Sequence, residues 1–194
     1  MAGNESFTRL VALACHDLRT PLATVFGFAR TLARSAALDE TSARYVAMIE
    51  SASEQMGELL DELSVAVRIE SGRYAPTPVE VDTSELARTA AERLGEERVS
   101  VSGAGGRVSV DREATERAVS ALVQCALRHG GLDEVAVEAV DHALTVRPIT
   151  PASAPVVLGE DLRDLGAAVA VRVIAAQGGS VAVNGDVLTV ALPG

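Results

Sequence analysis

His16, Asp17, Arg19 and Thr20 crowd into the stretch LACHDLRTPLATVFGFA, residues 13–29, whose apolar positions otherwise recur at helical spacing. On a helix, residues three and four apart share a face, so Arg19 and Thr20 are expected to sit over His16 while Ala14 and Leu18 turn into the helix packing. The imidazole is then expected on the flank of the apolar stripe, open to water or to a partner. A neutral imidazole is a good nucleophile near pH 7, because its unperturbed pKa is about 6.5. An acid beside it can hold the tautomer that leaves the distal nitrogen free, although Asp17, the next residue, must swing its side chain round to do so. An arginine one turn on can steady the oxygens of a phosphoryl group, and a hydroxyl at the same range can position a water. Pro21 has no N–H, so the Asp17 carbonyl loses its helical donor and a bend is expected just past the histidine.

These side chains need a stiff helix under them, and the sequence supplies two. Residues 5–36 and 40–71 read as long amphipathic helices joined by the short SAALDE connection, an antiparallel hairpin. In the second, Val46, Ile49, Ser53, Met56, Leu60, Leu63 and Val67 alternate spacings of three and four, a heptad seam broken by one serine. In the first, Leu10, Ala14, Leu18, Leu22, Val25, Ala29 and Leu32 form a comparable stripe. A lone hairpin leaves much of such a stripe wet, so two chains are expected to pair into a four-helix bundle. The competing arrangement covers the hairpin with the chain's own C-terminal half.

SGRYAPTPVEVD, with two prolines and no period, reads as a linker over residues 73–81. Residues 82–194 then alternate helix and strand signals. Asp82 with Glu85 resembles a capping box for a helix to about Leu94, and RVSVSG and RVSVD around AGG give a hairpin signal. Asp111 can cap a helix running to His129, stopped by Gly130 and Gly131. EVAVEAV and LTVRP give a second hairpin, Leu162 to Gln177 a third helix, and SVAVNGDVLTVAL a last hairpin turning at Asn184-Gly185. The fold class is therefore α+β: a hairpin at residues 1–72, the linker, and an α/β sandwich with helices on one face of a sheet.

Composition narrows the partners. A formal charge of -10 argues against nucleic acid and anionic membrane as main partners. The N-terminus lacks the basic-then-apolar build of a signal peptide. The longest apolar run, interrupted by Arg172, falls short of the ~20 residues that span a bilayer. Cys15 and Cys125 make no disulfide framework, so the chain reads as soluble and cytoplasmic. Within that acidic total, residues 8–38 carry four arginines against Asp17, a formal +3, while residues 39–71 carry eight acids against two arginines, a formal -6. The basic strip suits a partner with an acidic pocket, or pairing with the acidic helix beside it.

HDLRTPL, His16 to Leu22, resembles the phosphoacceptor box of sensor histidine kinases at every position, on the first helix of a hairpin as in that family. The resemblance implies that His16 accepts a phosphoryl group, that Asp17 assists its nucleophilicity and that Thr20 supports the reverse, phosphatase reaction. It also implies response-regulator receiver domains as partners.

The second half resembles that family's ATP-binding domain in its order of elements, with the chemistry removed. Where the family carries two asparagines four apart, one holding magnesium, this chain has Ala121 and Cys125, neither a hard oxygen donor of the kind Mg²⁺ takes. No Asp-x-Gly-x-Gly run follows LTVRP, the phosphate loop is reduced to Gly166 in DLGAAVA, and the connection from Thr150 to Glu160 is short for an ATP lid. Cys125 and His129, four apart, have a zinc-compatible spacing. Two more ligands are needed and no other cysteine-rich cluster exists, so Cys125 reads as a small buried residue and no metal is assigned. The reading is a cytoplasmic, homodimeric histidine phosphotransferase acting through His16, Asp17, Arg19 and Thr20. It binds no cofactor of its own, and the Mg²⁺ for transfer comes with the receiver. The competing readings are an ATP-dependent kinase fragment with a divergent nucleotide site, and a non-catalytic scaffold that sequesters a response regulator or a kinase.

Overall fold

A long helix, α1 (Ala2–Ala33), opens the chain and a second, α2 (Glu40–Glu70), returns along it. The computed structural model describes residues 2–34 and 38–194, with side chains from residue 7 onward; part of the expected SAALDE connection, residues 35–37, lies outside them. The chain divides into two units, Met1–Gly72 and Arg73–Gly194. No helix among the described residues is long and apolar enough to cross a membrane.

In the first unit Arg19 meets Asp61 and Arg30 meets Glu50, so later residues of α1 face earlier ones of α2 and the pair is antiparallel. Asp39 starts α2: its carboxylate accepts from the Ser42 amide at 2.8 Å and the Ser42 hydroxyl at 3.0 Å. Those two bonds hold the Asp39 carboxyl below its usual range. The cap's contribution is therefore complete near neutrality and is lost as acid protonates the group.

Each expected stripe divides in two. Ala29 of the first and Val46, Ser53 and Val67 of the second are buried, joined by Cys15 from outside the stripe. Leu10, Ala14, Leu18, Val25, Leu32, Ile49 and Met56 stay exposed, so Ala14 and Leu18 do not turn into the packing of this hairpin. Two helices bury only the faces they turn to each other. Leu22, Leu60 and Leu63 are half-buried, Leu22 reaching Gly57 of α2, and the other large residues of both stripes are left outside the contact.

The second unit runs β1 (Val79–Asp82), α3 (Thr83–Leu94), β2 (Val99–Ser102), β3 (Arg107–Val110), α4 (Arg112–Gly130), β4 (Val135–Val140), β5 (Ala143–Arg147), α5 (Ala154–Val157), α6 (Leu165–Ala176), β6 (Ser180–Asn184) and β7 (Val187–Ala191). Five strands form one sheet in the order β2-β4-β5-β7-β6, parallel between β2 and β4 and antiparallel elsewhere. Alternate residues Val135, Val137, Ala139, Leu144, Val146, Leu188 and Val190 are buried, with Leu86, Leu122 and Ile174 of the helices, the period-two pattern of a sheet covered on one face.

Several local expectations are corrected. Residues 79–81, expected in the linker, pair with β3 as part of β1. The two RVSV runs do not form a hairpin: β2 joins the large sheet and β3 pairs with β1 in a separate two-stranded one. The glycines between them explain why. Gly103 and Gly105 take φ of +92° and +71°, and Gly103 lies so near the Ala139 carbonyl that a side chain would collide with it, so the segment crosses between sheets instead of turning back. Asp82 caps α3 through the Ser84 amide at 2.8 Å, but Glu85 reaches Arg112 at 2.8 Å and closes no capping box. α6 begins at Leu165, three residues after Leu162, because Asp164 caps it through the Ala167 amide at 3.0 Å. In the last hairpin Gly185 and Asp186 sit between the paired Asn184 and Val187, and Gly185 alone has positive φ, a type II′ turn.

Gly103→Ala is expected to lower the melting temperature of the chain, costing about 1–3 kcal/mol from strain and collision. Gly178→Ala, at a positive φ with nothing near its Cβ position, is expected to cost less. Paired thermal melts of the two variants check the ranking.

Candidate functional site

Burial of one residue orients the phosphoacceptor-like turn. Cys15 is 2% exposed and faces α2, and each helical residue turns about 100°, so His16 is carried out toward solvent. Its side chain is 80% exposed. Asp17 does swing round: its Oδ1 lies 3.2 Å from the His16 Nδ1. An ionised carboxylate can only accept a hydrogen bond, so Nδ1 carries the proton and the lone pair is left on Nε2, away from the acid.

The same rotation corrects the place of Arg19. It follows Cys15 by four residues and so shares the face turned to α2. Its guanidinium donates to Asp61 Oδ1 at 2.6 Å and to Ser64 Oγ at 3.2 Å, not over the imidazole. Thr20 falls on the outer side, where with Arg19, Ala23 and Thr24 it lines an open hollow. α1 continues through Pro21, and the Thr24 hydroxyl donates to the Thr20 carbonyl at 3.1 Å. Of the four expected site residues, the fold joins His16 to Asp17, sets Thr20 beside the hollow and commits Arg19 elsewhere. The basic and acidic strips meet in the Arg19–Asp61 and Arg30–Glu50 pairs, so part of the charge asymmetry is helix–helix pairing.

In the second unit Ala121 is half-buried and Cys125 is closed off. Cys125 is fully buried, and burial, followed by the negative charge of Asp164, pushes its thiol up to about 12. The segment from Thr150 folds into a tight turn tied by Ser153 and then α5, whose Val156 and Val157 are fully buried. A helix N-terminus is a ready anion site, but at α6 the carboxylate of Asp164 already occupies it. Asp164 had no place in the sequence reading; the only signal for it was its type, a capping aspartate just before an apolar helix.

Comparison with known proteins bears on both units. Residues 8–72 match the model of the His Kinase A (phospho-acceptor) domain. The chain is similar to the sensor protein DivL of Caulobacter vibrioides, 30% identical over 40% of this chain and 10% of that protein. It is also similar to the methanogenesis regulatory histidine kinase FilI of Methanothrix harundinacea, 31% identical over 67% of this chain and 15% of that one. Among solved structures, full-length ShkA in complex with AMPPNP covers 94% of this chain and 44% of its own at a TM-score of 0.70 and 21% identity. The Acinetobacter baumannii histidine kinase AdeS covers 92% and 97% at 0.56 and 16%. These two likenesses establish the shared fold, a helical hairpin followed by an ATPase-like α/β unit. The chain spans 10% and 15% of the length of the two curated relatives.

If Asp17 fixes the ring as the contact implies, nitrogen-15 NMR of neutral His16 will find mainly the Nδ1–H tautomer. Asp17→Asn is expected to raise the Nε2–H share without changing the helical circular dichroism. An unchanged tautomer ratio in that variant would mean the contact does not orient the ring.

Proposed function

This chain belongs to the sensor histidine kinase family, and from that premise we propose that it is a histidine phosphotransferase, relaying a phosphoryl group between receiver aspartates of response regulators without binding ATP. The observation that carries the reading is the exposed His16 ring with its proximal nitrogen tied to Asp17 and its distal nitrogen free.

The transfer follows from that geometry. The Nε2 lone pair of His16 attacks the phosphorus of an aspartyl phosphate; the new N–P bond forms as the acyl-phosphate P–O bond breaks, and the receiver carboxylate leaves with the electron pair. The ring gains positive charge, which Asp17 stabilises through the Nδ1–H. A second receiver carboxylate then attacks phosphorus and Nε2 leaves with its lone pair restored. The Mg²⁺ that screens the phosphoryl oxygens comes with the receiver. Arg19 joins only by releasing Asp61, an exposed pair worth about 0.2–1 kcal/mol. Thr20, beside the open hollow, is positioned to orient a water toward the phosphohistidine in the phosphatase side reaction.

Three features of the second unit favour a chain that does not take its phosphate from ATP. Ala121 and Cys125 offer no hard ligand for magnesium, the α6 N-terminus carries the Asp164 carboxylate, and Val156 and Val157 fill the space beneath the Thr150–Gly159 segment. Exposed Val25, Phe28, Leu32, Ile49 and Met56 support a homodimeric bundle, and the reaction class supports a cytoplasmic setting.

Incubation with a phosphorylated receiver domain should label the wild-type chain and leave His16→Gln unlabelled. Asp17→Asn should transfer roughly 100-fold more slowly, the low end of what proton positioning contributes. Equal labelling of wild type and His16→Gln would end the proposal, and labelling of His16 by radiolabelled ATP alone would replace it with an ATP-dependent kinase. In sedimentation equilibrium the wild type should have twice the 20.1 kDa chain mass, and Val25→Arg/Phe28→Arg should return it to 20.1 kDa.

A further inference from the structure

The helix spacing of Cys125 and His129 gave two donors where a metal needs more, and the fold supplies a third from another element. Cys125 and His129 stand one turn apart on α4, and Asp164 caps α6 against them. One ligand atom from each of the three lies within 4.8 Å of the other two. We propose that the Cys125 thiolate, the His129 imidazole and the Asp164 carboxylate bind a thiophilic divalent cation of the zinc class, tying the start of α6 to the C-terminal end of α4.

The donor set selects the ion. One sulfur, one nitrogen and one oxygen suit a borderline cation such as Zn²⁺, whose bonds to these atoms run about 2.0–2.3 Å, and disfavour Mg²⁺, which takes oxygen. Three protein ligands leave a fourth tetrahedral position for a water; Cys125 is fully buried, while the His129 and Asp164 side chains are 18% and 11% exposed. The carboxylate is oriented beforehand, since its Oδ1 accepts from the Ala167 amide at 3.0 Å while Oδ2 lies 3.1 Å from His129 Nε2. Such outer bonds hold a ligand in place for a metal. Binding replaces the thiol proton, which leaves to solvent, and shifts the imidazole proton from Nε2 to Nδ1. With thiolate and carboxylate both bound, the dication is formally neutralised. That offsets its repulsion from the Arg128 guanidinium, 3.8 Å from Asp164 Oδ2. The remaining exposed His–Asp contact, His142 with Asp141, has no thiol beside it and is a different kind of site.

Titration of the full chain with Co²⁺ tests this directly, because a thiolate ligand gives a near-ultraviolet charge-transfer band and four-coordination gives intense visible bands. One equivalent should saturate both, Zn²⁺ should bleach them, and Zn²⁺ should raise the melting temperature of the wild type. Cys15→Ser should behave like the wild type. Cys125→Ser, nearly isosteric, should lose the charge-transfer band, and His129→Gln should weaken binding at least as much as the roughly 10–100-fold that outer-shell partners contribute. Absence of the band in the wild type, its persistence in Cys125→Ser, or unchanged affinity in His129→Gln would each overturn the proposal. The readouts are optical and thermal, so they are independent of whether His16 transfers phosphate.

Discussion

A pair of helices can bury only the residues that face across the gap, and that constraint sets the chemistry of the first unit. Cys15 is taken into the gap, and the positions after it follow by rotation: His16 outward, Arg19 back toward α2, Thr20 outward again. A surface imidazole on a helix needs no explanation by itself. One whose neighbour in sequence is buried is turned outward, and a carboxylate 3.2 Å from its proximal nitrogen favours the tautomer with the lone pair on the distal one. Those are the two requirements for a nitrogen nucleophile that must meet a phosphorus held by another protein.

The legible parts of the sequence were those where one local signal decides. The capping aspartates at 82 and 111 and the periodicity of α1 and α2 are settled within a turn or two of chain. So was the HDLRTPL box, because its residues share one helix. The misread parts depended on distant residues. Arg19 was placed over His16 by spacing alone, but spacing leaves two neighbours open, and the acid across the hairpin won. The RVSV runs carried a hairpin's alternation, yet β2 found β4 and β3 found β1, pairings that no local pattern encodes. Asp164 could not be joined to Cys125 from the sequence, since the two are brought together only when α4 packs on α6.

The second unit keeps the layout of its fold while its helix ends are satisfied internally. A phosphate-binding helix must leave its first amides free; here Asp164 takes one of them and adds a negative charge. A lid must also be able to stand away from the body, whereas the Thr150–Gly159 segment is closed by its own hydrogen bonds and anchored by two buried valines. Each feature occupies a group that a bound phosphate would otherwise use, and α4, α5 and α6 pack against one another there.

The rotation that frees His16 also separates it from the apolar rows. Counting about 100° per residue from Cys15, Leu18, Val25 and Leu32 fall on one side of α1 and His16 on the other. Counted from Val46 in the same way, Ile49, Met56 and Leu59 fall on the corresponding side of α2. In an antiparallel pair, equal rotations of the same sense bring both rows to one side of the hairpin, so the exposed residues form a continuous face and not two opposed ones. A second chain covering that face leaves His16 and Thr20 uncovered. A dimer built on that face and a partner bound at the imidazole would therefore use different surfaces of the hairpin.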